Sequence, residues 1–99
     1  MANGAKGYVI LTEDIKDPAG MVEYGKLAMK AMAGARIVAV DTNPTVIEGQ
    51  WHGSQTVVLE FDSVEAAKEW YHSEAYQAAA KVRQGAAECN GVIVAGFPQ

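Results

Sequence analysis

The feature that most constrains this chain is a set of extended segments that are apolar on both faces, accompanied by only two stretches of helical periodicity. Val9-Ile10-Leu11, Ile37-Val38-Ala39-Val40, Val57-Val58-Leu59 and Val92-Ile93-Val94-Ala95 show no alternation of apolar with polar residues. A sheet with one face in water alternates with period two, because successive side chains point to opposite faces. Two helical stretches cover one face only. The other face would then expose an apolar patch larger than the roughly few hundred Å² that monomers tolerate. For a chain of 99 residues the simplest cover is a second copy related by a two-fold axis. The sequence therefore predicts a homodimer burying roughly 800 Å² per partner.

The order of elements sharpens this picture. Gly7 to Thr12 is rich in β-branched and aromatic residues and reads as a first strand. Asp17-Pro18 marks a helix start, with Asp as N-cap and Pro where no N–H is missed. Met21, Tyr24, Gly25, Ala28 and Met32 trace its apolar face, and Gly34 is its expected left-handed cap. Ala35 to Val40 is the second strand, followed by an Asp41-Thr42-Asn43-Pro44 turn, an extended piece at Val46-Ile47-Glu48 and a loop from Gly49 to Ser54. Gln55 to Phe61 is the third strand, placing Val57, Leu59 and Phe61 toward the helices and Val58 and Glu60 on the opposite face. Ser63 caps a helix from Val64 to Tyr71, and Ser73 caps a continuation to about Gly85. On that continuation Ala75, Ala79 and Val82 share one face, and Tyr76, Ala80 and Arg83 the neighbouring one. Gly91 opens the last strand. The β-α-β-β-α-β order predicts an α+β fold, a ferredoxin-like antiparallel sheet with both helices on one face, forming a dimeric α+β barrel as one domain over residues 1–99.

Several function classes are disfavoured. Eight Lys+Arg against twelve Asp+Glu give a net charge of −4 with no basic cluster, so no nucleic-acid or anionic-membrane footprint is expected. No apolar run approaches the ~20 residues of a membrane span. The residues from Met1 to Lys6 lack the apolar core of a secretory signal, and a lone Cys89 suits a reducing compartment, so a cytoplasmic location is expected. No phosphate-cradling glycine motif, nucleophile elbow or paired-histidine spacing is present, so no cofactor and no metal are expected, although His52 and His72 with Glu48 or Glu60 were the groups to consider. Cys89 sits among Ala, Glu and Asn without a basic sequence neighbour, which argues against a nucleophile.

Lys6-Gly7-Tyr8-Val9-Ile10, Asp17-Pro18 with Tyr24, Ile47-Glu48-Gly49 with Trp51, and above all Glu60-Phe61-Asp62-Ser63, Ala66-Ala67, Trp70-Tyr71-His72-Ser73-Glu74-Ala75-Tyr76-Gln77 and Arg83 resemble the domain-of-unknown-function 1330 family. The resemblance runs from about Lys6 to Phe97. It implies a dimeric α+β barrel, in agreement with the strand composition. Family members often carry two glycines and an aromatic where this chain has Gly34-Ala35-Arg36-Ile37, so the aliphatic Ile37 would alter any pocket that the aromatic lines.

Three groups of residues carry candidate chemistry. Trp70, Tyr71, Tyr76 and Arg83 form the first; Tyr76 and Arg83 lie two helical turns apart and project from one face. A guanidinium fork suits a carboxylate or enolate, and a phenol donates to a carbonyl oxygen. The competing reading is an aromatic cluster at the core edge. The second group is the Glu48-Gly49-Gln50-Trp51-His52-Gly53 loop, with His52 a candidate proton shuttle, Glu48 its orienter or itself a base, and Trp51 a ligand contact or an interface anchor. Glu60 is the third, a carboxylate interrupting an apolar strand and requiring a partner, either Arg36 or Arg83, or a role as pocket acid or base.

Two functions from different classes follow. In one, the resemblance to a superfamily holding cofactor-free oxygenases, isomerases and lyases implies proton abstraction beside a carbonyl of a small aromatic or keto acid. His52 or Glu48 would be the base there, with Tyr76 and Arg83 on the oxyanion. In the other, the protein is a non-catalytic ligand-binding or stress-associated dimer whose cavity holds a small apolar acid.

Overall fold

The computed structural model describes residues 5–98. The elements in chain order are β1 (Gly7–Ile15), α1 (Pro18–Lys30), β2 (Arg36–Asp41), β3 (Gln55–Phe61), α2 (Val64–His72), α3 (Glu74–Ala86) and β4 (Ala87–Ala95). The four strands form one sheet in the order β2-β3-β1-β4, with every neighbouring pair antiparallel. This is the expected α+β ferredoxin-like arrangement.

Local chemistry sets the boundaries. Asp17 takes the extended N-cap conformation before Pro18, although its side chain makes no capping bond. Ser63 Oγ accepts from Ala66 N–H at 3.0 Å and starts α2. Ser73 both ends α2 and begins α3: its hydroxyl donates to the Trp70 carbonyl at 2.7 Å and accepts from Tyr76 N–H at 3.2 Å. One short polar side chain thus satisfies a carboxy-terminal acceptor and an amino-terminal donor.

Three expected boundaries shift. Helix α1 stops at Lys30, because the Ala31 carbonyl is taken by the Trp70 indole N–H at 2.6 Å. Gly34, at φ +83°, serves instead the turn into β2, where a left-handed residue costs glycine little. Strand β1 runs on to Ile15, and β4 begins at Ala87, four residues before Gly91. The two strands pair without a break from Gly7↔Ala95 to Ile15↔Ala87, since backbone ladders form regardless of the polar side chains at Glu13 and Glu88. Gly91 lies opposite Leu11, where an added Cβ would come within 2.8 Å of the leucine Cδ2. The Val46-Ile47-Glu48 piece is not a strand.

The core lies between sheet and helices. Val9, Leu11, Leu59 and Phe61 meet Ala67, Trp70, Tyr76, Ala79 and Ala80. Trp70 stacks between Phe61 and Tyr76, with ring centroids 5.0 and 3.9 Å away. The buried face of α3 is the one carrying Tyr76, Ala80 and Arg83, whereas Ala75 is exposed. The other side of the sheet bears Tyr8, Ile10, Thr12, Val58, Glu60, Val92 and Val94, as the register requires. There Val92 is 54% and Val94 39% exposed in the protomer. At the β2 edge a bulge between Ile37 and Ala39 leaves Val38 as the extra residue.

Candidate functional site

The sheet divides the expected site residues into two groups. On the helix-free face, the register of β1, β2 and β3 lines up Tyr8, Arg36 and Glu60. Tyr8 donates its hydroxyl to Glu60 Oε2 at 2.8 Å, and the Arg36 guanidinium pairs with Oε1. The hydrogen bond to this carboxylate raises the Tyr8 phenol above its ordinary range, and desolvation adds to it. Glu60 is therefore tied to Arg36, one of the two partners expected from the sequence. Nearby, His52 Nδ1 shares a hydrogen bond of 2.8 Å with Thr12 Oγ1, and the Trp51 indole donates to Thr56 Oγ1 at 2.8 Å. Thr12 and Thr56 are paired in the ladder, so both contacts clamp the 42–54 connection onto this face. Glu48 and Trp51 line a shallow cavity of about 330 Å³ between that connection and the sheet.

The helix-facing group has another character. Tyr76, fully buried, shares a 2.7 Å hydrogen bond with Tyr24 through the two hydroxyls. Burial, more than the neighbouring Tyr76, pushes the Tyr24 phenol well above its ordinary range, so that Tyr24 stays neutral. Arg83 is 3% exposed, and its guanidinium lies 5.8 Å from the centre of the Tyr24 ring. Burial works against its charge, but Tyr76, Cys89 and Tyr24 outweigh that penalty and raise its pKa. Among the described residues no carboxylate lies within ion-pair distance of Arg83, and its Nε has no hydrogen-bond partner.

Arg83 opens onto a cavity of about 640 Å³ between α2, α3 and β4, bounded by Tyr71, His72 and Cys89 above a floor of Val9, Leu11 and Ile93. That volume falls within the roughly 300–1,000 Å³ of small-molecule sites. Trp70 and Tyr76 do not line it. They sit one layer deeper and hold Tyr71, whose ring centre is 5.7 Å from that of Tyr76.

Two sequence readings are corrected by this geometry. His52 and Glu48 do not meet Tyr76 and Arg83, because the β-layer stands between the two groups. Cys89 does have a basic neighbour: the α3–β4 junction folds Arg83 against the same cavity, and the thiol contributes to holding the guanidinium proton. A contact six residues away across a helix–strand corner leaves no trace in adjacent sequence.

The sequence pattern of the family described as Domain of unknown function (DUF1330) matches residues 6–97. The chain belongs to that family. No curated protein matches it. Among solved structures, this DUF1330 chain is similar to a protein of unknown function from Rhodopseudomonas palustris, with TM-score 0.72 and 18% identity over 99% of this chain and 86% of that one. It is also similar to a dimeric ferredoxin-like protein of unknown function from Thermobifida fusca, with TM-score 0.64 and 14% identity over 97% and 92% of the two chains. A third is SnoaB, a cofactor-independent oxygenase from Streptomyces nogalater, with TM-score 0.59 and 9% identity over 96% and 94%. At these identities the likeness establishes the fold. Among the described residues of the DUF1330 chain, no helix is long and apolar enough to cross a membrane.

Glu13 was not anticipated as a site residue. It is 1% exposed on the helix-facing side of β1, accepts from Gln55 Nε2 at 2.6 Å through Oε1, and leaves Oε2 without a partner. The signal was present, since Glu13 continues the odd-numbered row of Val9 and Leu11. Ending the strand at Thr12 hid it.

Proposed function

We propose that this protein is a homodimer that binds a small acidic organic molecule, an aromatic or keto acid, in the cavity beneath α2 and α3, with Arg83 as the anchor. The observation that carries this reading is a buried, permanently charged guanidinium with an unpartnered Nε at the wall of a roomy cavity. Native interiors seldom keep such a group without a use, because desolvating a charge costs several kcal/mol unless something pairs with it. A ligand carboxylate or enolate would supply the pair, with Val9, Leu11 and Ile93 against its apolar body. The homodimer is supported by the exposed valines of the helix-free face and by the dimeric relative of the same fold.

The test is mass spectrometry of small molecules released from the purified protein, together with an NMR titration of phenylpyruvate as a probe acid. Shifts confined to residues around Arg83, Tyr71 and β4 are the expected result. Shifts confined to the 42–54 connection would move the site to the other face.

Catalysis is the second reading, favoured by His72 standing at the same cavity as Arg83 and by the cofactor-independent oxygenase that shares the fold. A proton beside the ligand carbonyl would pass to His72 while Arg83 holds the developing oxyanion. His52 and Glu48 lie across the sheet from that point. Under this reading His72→Ala abolishes turnover, while His52→Ala and Glu48→Gln leave it intact; the reverse pattern would place the chemistry in the smaller cavity. A ligand recovered chemically unchanged after prolonged incubation favours the non-catalytic reading.

A further inference from the structure

Gly91 stands in the middle of β4 without a backbone reason to be glycine. Its φ is not positive, and it pairs with Leu11 inside an unbroken ladder. Glycine weakens a strand interior and marks a place where something approaches the backbone closely. Leu11 is one such neighbour, since a Cβ at Gly91 would meet the leucine Cδ2 at 2.8 Å. Among the described residues, the only other non-adjacent atom within 4 Å of that Cβ is the Ile10 carbonyl oxygen, at 3.8 Å. Neither α2 nor α3 comes down onto this position. The space over it is the Arg83 cavity, whose floor Gly91 shares with Leu11 and Ile93 and whose wall carries Tyr71 and His72. These two rings stand edge to face, with centroids 5.3 Å apart.

Charge is spread unevenly along the same cavity. On the helix-facing row of β4, Cys89 lies opposite Glu13, Gly91 opposite Leu11 and Ile93 opposite Val9. Arg83 interacts with Cys89 and so belongs to that end, and it is the one lining residue with a fixed positive charge. Glu88 on the rim and the buried Glu13, which lies outside the lining, both oppose an anion anywhere but on the guanidinium. A carboxylate in this cavity therefore has one place to sit. The uncharged part of the same molecule extends the other way along β4, over Gly91 toward Ile93.

We propose that Gly91 is a specificity-determining residue: it leaves a slot, between the β4 backbone and Tyr71, that takes the ring of an aryl acid whose carboxylate lies on Arg83. A ring laid over bare backbone meets Leu11 and Ile93 on one side and an aromatic wall on the other, and dispersion contact of this kind is gained only at close approach. A methyl group added at Gly91 occupies the slot and also drives the leucine Cδ2 out of its seat. A compact acid reaches Arg83 without using the slot, so Gly91 distinguishes aryl from compact acids and leaves the anchor untouched.

The acid end of this ligand rests on the binding function proposed above, whereas the ring slot does not, and the experiment keeps the two apart. Phenylpyruvate, pyruvate and benzyl alcohol present the acid with the ring, the acid alone and the ring alone. Each is titrated by NMR into the native protein, Gly91→Ala and Gly91→Val, whose spectra without ligand also report whether they are folded. Extended backbone accepts both substitutions, and Gly91→Ala decides the matter if the larger valine prevents folding. Phenylpyruvate is expected to bind the native protein at least about tenfold more tightly than pyruvate. It should weaken roughly threefold in Gly91→Ala and at least about tenfold in Gly91→Val, with pyruvate held within about twofold throughout. Phenylpyruvate binding that survives in both folded variants overturns the proposal, as does an equal loss of both acids. Native protein that binds the two acids alike overturns the slot and leaves the Arg83 anchor standing. Binding of benzyl alcohol that Gly91→Ala weakens, with neither acid bound, supports the slot and counts against the acid reading. Native protein that binds none of the three overturns both.

Discussion

Replacing Arg83 by Met separates a structural role from a functional one by the size of the stability change. Methionine keeps a long flexible stem of similar reach and removes the charge. If the guanidinium were a structural tie, deleting it would cost about 3–5 kcal/mol, the usual price of breaking a buried ion pair. No such pair is present among the described residues; Tyr76, Cys89 and the Tyr24 ring at 5.8 Å offset the burial instead. These partners outweigh the desolvation penalty, but a cation–π contact of this kind contributes only about 0.5–2 kcal/mol, less than a buried carboxylate would. Arg83→Met should therefore cost no more than about 0–2 kcal/mol, a fall in Tm of at most roughly 8–16 °C. Melts must be run at one protein concentration, since dissociation of a dimer shifts Tm by mass action. In parallel, phenylpyruvate binding should weaken at least about tenfold, because a charge-assisted hydrogen bond is lost. A variant destabilised by more than about 3 kcal/mol would show that the guanidinium holds the fold together, and the ligand anchor would have to be sought elsewhere.

Further predictions concern the supports around the site. Trp70→Phe strands the buried Ala31 carbonyl now held at 2.6 Å and opens a small void, and should cost about 2–4 kcal/mol in urea denaturation; a loss below about 1 kcal/mol would mean that α1 ends there for other reasons. Because burial raises the Tyr24 pKa above the ordinary phenol value of 10.0, its contribution to stability is fully present below pH 10 and declines as the pH rises beyond that, since the unfolded chain ionises first. Alkaline denaturation curves of Tyr24→Phe should accordingly be flatter above pH 10 than those of the native sequence, and parallel curves would remove this residue from the alkaline response. Val94→Glu adds a carboxylate to the helix-free face, which already carries Glu60 opposite Tyr8, and sedimentation equilibrium should show a shift toward monomer; an undisturbed dimer would locate the interface elsewhere.

How much of this was legible depended on the range of the interaction. The strand faces could be read because period two is local: Leu59 and Phe61 point to the helices and Glu60 away from them, as alternation demands. Ser63 and Ser73 were recognisable as caps, since an N-cap is satisfied within three residues. The end of α1 was not legible, because the group that terminates it, the Trp70 indole, arrives from 39 residues away. The extent of β4 was hidden for a related reason: Glu88, Cys89 and Asn90 look like loop residues, yet the β1 backbone recruits them opposite Asp14, Glu13 and Thr12. The candidates could be picked residue by residue, but which of them meet, His52 and Glu48 or Tyr76 and Arg83, needed the fold. Sequence distance does not say which side of a sheet a loop returns to.

That side is what organises the molecule. The 42–54 connection folds back over the helix-free face and is fastened there by His52 on Thr12 and Trp51 on Thr56, so its polar residues belong to the surface that a second copy would cover. Arg83, Tyr71, His72 and Cys89 open instead beneath the helices at the β4 edge, where the proposed ligand would enter without disturbing that surface. The two surfaces share the β-layer and little else: Tyr8 and Ile10 face one way, while Val9 and Leu11, between and beyond them, face the other. Association through one face would therefore stiffen the floor of the cavity on the other, because Ile10 and Val92 alternate along β1 and β4 with Val9, Leu11, Gly91 and Ile93, which line it. If both proposals hold, dimer formation and ligand binding would be coupled through packing of the shared strands and not through shared side chains.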